Sequence, residues 1–128
     1  MWKLYLSAVL VAVALASCST EKEMARIAVP NTNLILVLNE DEKQMFRYQV
    51  FAEKKLASDN NFLGPHDYNV STRPTINVDG STVRFTWHGP YITQFVEFDV
   101  AACEIKQDSH GAGTRKIPGC RQASTPTA

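Results

Sequence analysis

The residues of this 128-residue chain that could do chemistry are few: three histidines, three cysteines, and 13 acidic side chains set against 13 Lys and Arg. His66-Asp67 and His88 are the candidates for a metal centre, because imidazole is a common zinc ligand and a carboxylate beside it completes or orients the set. Such a centre would support a metal-assisted hydrolase. These positions follow no ligand spacing, and neither Cys103 nor Cys120 belongs to a C-x-x-C pair, so no metal is expected. Asp108-Ser109-His110 holds the residue types of a nucleophilic triad, but consecutive positions do not set a base between nucleophile and carboxylate. Gly111-Ala112-Gly113 has no strand before it and no helix after it, and reads as a spacer. The phosphate-loop, dinucleotide, H-E-x-x-H and G-x-S-x-G signatures are missing. The expectation is a chain that is not an enzyme and has no cofactor.

Two segments suit binding better. Residues 62–68 and 87–91 each join a Gly-Pro pair to a histidine and aromatic rings. Rings with polar tips on rigid loops bury much area at small entropic cost. Leu63, His66, Tyr68, Trp87, His88 and Tyr91 are the candidate contact residues. The competing reading places Trp87 and Phe62 in the core and leaves Gly-Pro as mere punctuation of the chain.

Balanced charge argues against a nucleic-acid partner, which would demand a basic excess to neutralise phosphates. A membrane is a better match. Lys3 precedes residues 4–16, an uncharged apolar run shorter than the roughly 20 residues of a permanent span. A basic start, an apolar middle and small residues at the end make a secretory signal helix over residues 1–17. Leu15-Ala16-Ser17-Cys18 resembles the lipobox of bacterial lipoprotein precursors, in which small residues precede an obligatory cysteine. The resemblance spans the first eighteen residues only. It implies lipid on the Cys18 thiol (palmitate among the acyl chains), cleavage before Cys18 and acylation of the new amino group. Several acyl chains on one residue anchor stably where one would be marginal. Ser19 stands where that family commonly uses Asp to retain a protein at the inner membrane, so the resemblance implies the outer membrane, facing the periplasm. The mature chain keeps 12 basic and 13 acidic groups.

Lipidation leaves Cys103 and Cys120, an even pair in an oxidising compartment, and a disulfide between them is expected. Such a bond would staple the polar tail to the final strand.

The elements that position these residues read as β. Residues 18–33 form a polar tether, with only Ile27-Ala28-Val29 hinting at pairing, which would let the domain stand off a membrane. The β domain covers residues 34–106. Its first strand is the apolar run 34–38, and its second is the alternating stretch 45–53. Leu56-Ala57 offers a brief pairing segment before a loop marked by Ser58-Asp59-Asn60-Asn61 and Gly64-Pro65. Residues 75–87 form a hairpin about Asp79-Gly80, a register that sets Ile76 opposite Val83 and Val78 opposite Ser81. Another strand runs over residues 91–100, and residues 107–128 are a flexible tail. The fold expected is an all-β antiparallel sandwich or partly closed barrel of about five to seven strands.

Anchor, tether and β domain together suggest a non-catalytic lipoprotein that binds an envelope protein of unknown identity. An alternative is a periplasmic inhibitor or immunity protein against a lysozyme or toxin, which such small anchored domains resemble in size and address. In that case the 64–68 or 88–91 loop would enter the enzyme's cleft.

Overall fold

Alternation with period two drives the architecture, because successive side chains of a strand point to opposite faces and one face meets the opposing sheet. The computed structural model describes residues 21–65 and 72–123, and these hold nine strands in two antiparallel sheets. The first sheet runs β1 (Lys22–Ala28), β2 (Leu34–Glu40), β3 (Met45–Ala52), β4 (Lys55–Pro65) in spatial order. The second runs β5 (Thr75–Asp79), β6 (Thr82–His88), β7 (Thr93–Asp99), β8 (Glu104–Asp108), β9 (Arg115–Lys116). Each is a meander, so strands adjacent in sequence are adjacent in space. Neither sheet closes into a barrel. The all-β sandwich is the form the chain takes, with more strands than its patterning suggests.

Between the sheets lies one core. Leu34, Leu36, Leu38, Phe46, Tyr48, Val50 and Leu63 enter it from the first sheet, and Val83, Phe85, Trp87, Val96, Phe98 and Ile105 from the second. Phe85 and Phe98, on neighbouring strands, meet edge to face with centroids 5.7 Å apart. Burial of each such side chain contributes about 1.5–3 kcal/mol.

Several expectations need correction. The supposed tether is largely β1, which pairs with β2 from Lys22↔Glu40 to Ala28↔Ile35. Its polar residues mark an edge strand, none of whose residues is fully buried. The supposed loop after Leu56-Ala57 is the body of β4. Its Ser, Asp and Asn residues fit a strand because β4 is bulged against β3 at three places, and Asn60 takes a left-handed φ of 57°. Asn61 Nδ2 then donates to the Tyr48 carbonyl at 3.2 Å, a carbonyl placed where the register slips.

The hairpin forms one step further along than Asp79-Gly80 suggests. Its central residues are Gly80 and Ser81, with Gly80 at φ 59° and Val78 opposite Val83, Ile76 opposite Phe85. Glycine at the first central position suits a type II′ turn, and this register places apolar side chains opposite one another. Ile76, Val78, Val83, Phe85 and Trp87 share one face, yet Ile76 and Val78 stay 41% and 50% exposed. β5 is the sheet's edge, and these two side chains lie where the core ends.

The tail is also ordered over its described part. Ile117 is buried, Thr32 bridges Gln122, Asn33 Nδ2 donates to the Gly119 carbonyl at 3.0 Å, and Ala123 N–H donates to the Asn31 carbonyl at 2.7 Å. Cys103, in the turn between β7 and β8, is disulfide-bonded to Cys120, whose side chain packs against the core. The bond thereby ties this closing segment to the second sheet. Replacing both cysteines with alanine should lower stability by about 3 kcal/mol, the entropy of closing a loop of this length. Urea unfolding of the double variant checks this. An unchanged midpoint would mean that the Asn31–Asn33 contacts hold the segment without the disulfide.

Candidate functional site

The structure separates the residues singled out from the sequence. Leu63 and Trp87 are core, at 3% and 1% exposure, and the Trp87 indole N–H donates to the Thr72 carbonyl at 3.2 Å. His88 ends β6 with its side chain exposed, and Tyr91 follows in the β6–β7 loop at 89% exposure. His66, Asp67 and Tyr68 lie outside the described residues, as does Cys18. Among the described residues, no group of three His, Cys, Asp or Glu side chains could hold a metal.

Asp108, Ser109 and His110 diverge. The Ser109 hydroxyl donates to the Leu63 carbonyl at 3.2 Å, and the His110 ring packs edge-on against Phe62 at 4.8 Å. Asp108 turns into the core instead and joins a cluster that sequence reasoning missed.

That cluster spans the two sheets. Tyr48, on the inward face of β3, donates from its hydroxyl to Asp108 Oδ2 at 2.6 Å. Arg115 on β9 donates through Nη2 to the same carboxylate oxygen at 3.0 Å and to the Tyr48 oxygen at 2.8 Å. Asp108 Oδ1 accepts the backbone N–H groups of His110 at 3.1 Å and Ala112 at 3.4 Å, which shapes the turn into β9. The signal that could have found it is Tyr48 itself, since an inward tyrosine among apolar neighbours needs a partner for its hydroxyl. Asp108 was hidden because it stands at the head of a Gly- and Ser-rich stretch.

The electrostatics follow from burial and pairing. For Asp108, burial opposes ionisation most, but hydrogen bonds from Tyr48 and Arg115, the Arg115 charge and the Ala112 N–H together outweigh it and hold the carboxyl below its ordinary range. For Tyr48, burial and then the hydrogen bond to the Asp108 carboxylate push the phenol far above its ordinary value. A phenol locked as donor and a carboxylate with both oxygens engaged are poor proton carriers. This arrangement is a cross-brace between sheets.

The recognisable surface features lie elsewhere. A groove of about 580 Å³ runs between the edge strands β1 and β5, lined by Met24, Ile27, Ala28, Thr72, Pro74 and Ile76 among others. The second feature is one end of the sandwich. Register places the start of β1 beside the end of β2 (Lys22↔Glu40), and the start of β3 beside the end of β4 (Met45↔Pro65). Gln94, at the start of β7, donates from Nε2 to the Pro65 carbonyl at 2.9 Å, which brings the β6–β7 loop to the same end. There Pro90, Tyr91 and Ile92 are consecutive exposed residues, Ile92 at 48%. Around Lys22 the charges alternate: Arg47 Nε lies 3.2 Å from Asp41 and 3.9 Å from Glu21, with Glu42 and Lys43 in the intervening turn. No protein-family model matches this chain, and no curated protein or solved structure matches it either.

Proposed function

We propose that this chain is a lipid-anchored lipoprotein of the cell envelope, held at the outer membrane and facing the periplasm, that works by binding or assembly rather than by catalysis. The observation that supports this most is the disposal of the three cysteines. Cys103 and Cys120 are joined to each other, which leaves Cys18, directly after Leu15-Ala16-Ser17, as the thiol available for lipid. A disulfide of this kind belongs to an oxidising compartment, in keeping with export. Binding rather than chemistry is supported by how the buried carboxylate is used, since Asp108 brings strands together and both its oxygens are engaged.

Intact-mass measurement of the protein extracted from membranes tests the proposal. The expected species begins at Cys18 and carries the added mass of its acyl chains, while Cys18→Ser yields a chain without that added mass. A wild-type chain recovered with an unmodified Cys18 thiol would overturn the reading.

A further inference from the structure

We propose that the β6–β7 loop, through Tyr91 and Ile92, is a membrane-contact surface that enters the lipid headgroup layer and sets the sandwich end-on to the bilayer. The inference rests on lipidation of Cys18, and the start of β1 carries it. Only Ser19, Thr20 and Glu21 separate Cys18 from Lys22, the first residue of β1. Fully extended, the four steps from Cys18 to Lys22 reach about 14 Å. The polar layer on each side of a bilayer takes up about 5–8 Å of that span. A fifteen-residue tether would let the domain stand away from the surface, but the pairing of β1 with β2 consumes it. The end of the sandwich that carries Lys22 is therefore held against the lipid.

That same end presents Pro90, Tyr91 and Ile92. Tyrosine suits this depth, because its ring sits among headgroups while its hydroxyl stays wet. Ile92 beside it adds apolar area that water does not reward. Charge contributes little, since Lys22, Lys43 and Arg47 are interleaved with Glu21, Asp41 and Glu42. Contact through an apolar tip, unlike attraction of a basic patch, should be indifferent to anionic lipid.

The test uses the lipidated mature protein reconstituted into phosphatidylcholine vesicles containing brominated acyl chains, which quench nearby tryptophan. Tyr91→Trp is compared with Lys54→Trp, in the β3–β4 turn at the opposite end, after subtraction of the Trp87 signal measured in the wild type. Both positions are exposed, so both variants should fold. Tyr91→Trp is expected to be quenched several-fold more than Lys54→Trp, with no change when part of the neutral lipid is replaced by phosphatidylglycerol. Equal quenching on a chain whose mass shows lipid at Cys18 would overturn the loop contact alone and leave Tyr91 free for a protein partner. A chain with no lipid at Cys18 would overturn the contact together with the reading on which it rests.

Discussion

Asp108→Ala should lower stability by about 3 kcal/mol, because it leaves the Tyr48 hydroxyl and the Arg115 guanidinium without their shared acceptor inside the sandwich. The cost is placed at the lower end of the range for broken buried pairs because Arg115 keeps 31% side-chain exposure and can recover part of its hydration. Tyr48→Phe should cost only about 1 kcal/mol, since it removes one donor and leaves the Asp108–Arg115 pair in place. Urea unfolding at neutral pH ranks the variants. Similar losses for the two would mean that the hydroxyl, not the carboxylate, organises the brace.

The pH dependence has a definite sign. Burial resists the ionised form of Asp108, but its hydrogen bonds and the Arg115 charge prevail, so the folded carboxyl titrates below the unfolded one. Its contribution is fully present above the unfolded value of about 4, and it disappears as pH falls through the lower folded value. Asp41 adds to the same trend, since the Met45 N–H chiefly, with the Lys43 N–H and Arg47, lowers its carboxyl against the effect of burial. Tyr48 acts at the other limit. Its raised phenol adds stability that is complete below about pH 10 and declines above it. Wild type should thus lose stability, as pH falls through and below about 4, more steeply than Asp108→Asn, which keeps the Asp41 share. Parallel curves for the two proteins would remove Asp108 as the source.

Gly64→Ala should cost about 2–4 kcal/mol, and for two separable reasons. Gly64 has φ 148°, a conformation in which an L side chain is strained. A Cβ there would also lie 2.6 Å from Gln94 Nε2 and 3.1 Å from its Cδ. Gln94 is 5% exposed and its Nε2 donates to the Pro65 carbonyl, so the side chain cannot withdraw without giving up that bond. Gly111→Ala supplies the comparison. Its φ of 87° is also left-handed, but nothing lies within 4 Å, so only the backbone cost of about 1 kcal/mol applies. Adding Gln94→Ala to Gly64→Ala should relieve the collision, giving a double variant more stable than the sum of the single losses implies. Strict additivity in that thermodynamic cycle would show that backbone strain alone makes glycine necessary at this position.

Both sites show why pattern reading stops where it does. The alternation of Phe46, Tyr48, Val50 and Ala52 identified β3 and its inward face directly, because strand geometry maps every second residue to one side. Turn-forming composition misread Ser58, Asp59, Asn60 and Asn61 as a loop, because bulges let polar turn-formers sit within β4 and leave no period to contradict them. Asp79-Gly80 correctly signalled a hairpin, but the choice between turns one residue apart was settled by cross-strand partners such as Val78 and Val83. Leu63 and Trp87 look the same in sequence as Tyr91, namely apolar or aromatic residues beside Gly-Pro. Only the position of the opposing sheet sends the first two inward and leaves Tyr91 in water.

By itself, the sequence determined the all-β antiparallel class of the chain, the partnership of Cys103 with Cys120 and the inward face of β3, all of which follow from local periodicity or from residue counting. Tertiary structure alone decided that polar residues 22–28 complete a sheet, that Asp108 reaches Tyr48 across 60 positions, and that Lys22 and Tyr91 share one end of the sandwich. Such pairings are set by how two sheets stack, and the energy that selects them is the burial of both inner faces at once, which no local window of residues contains.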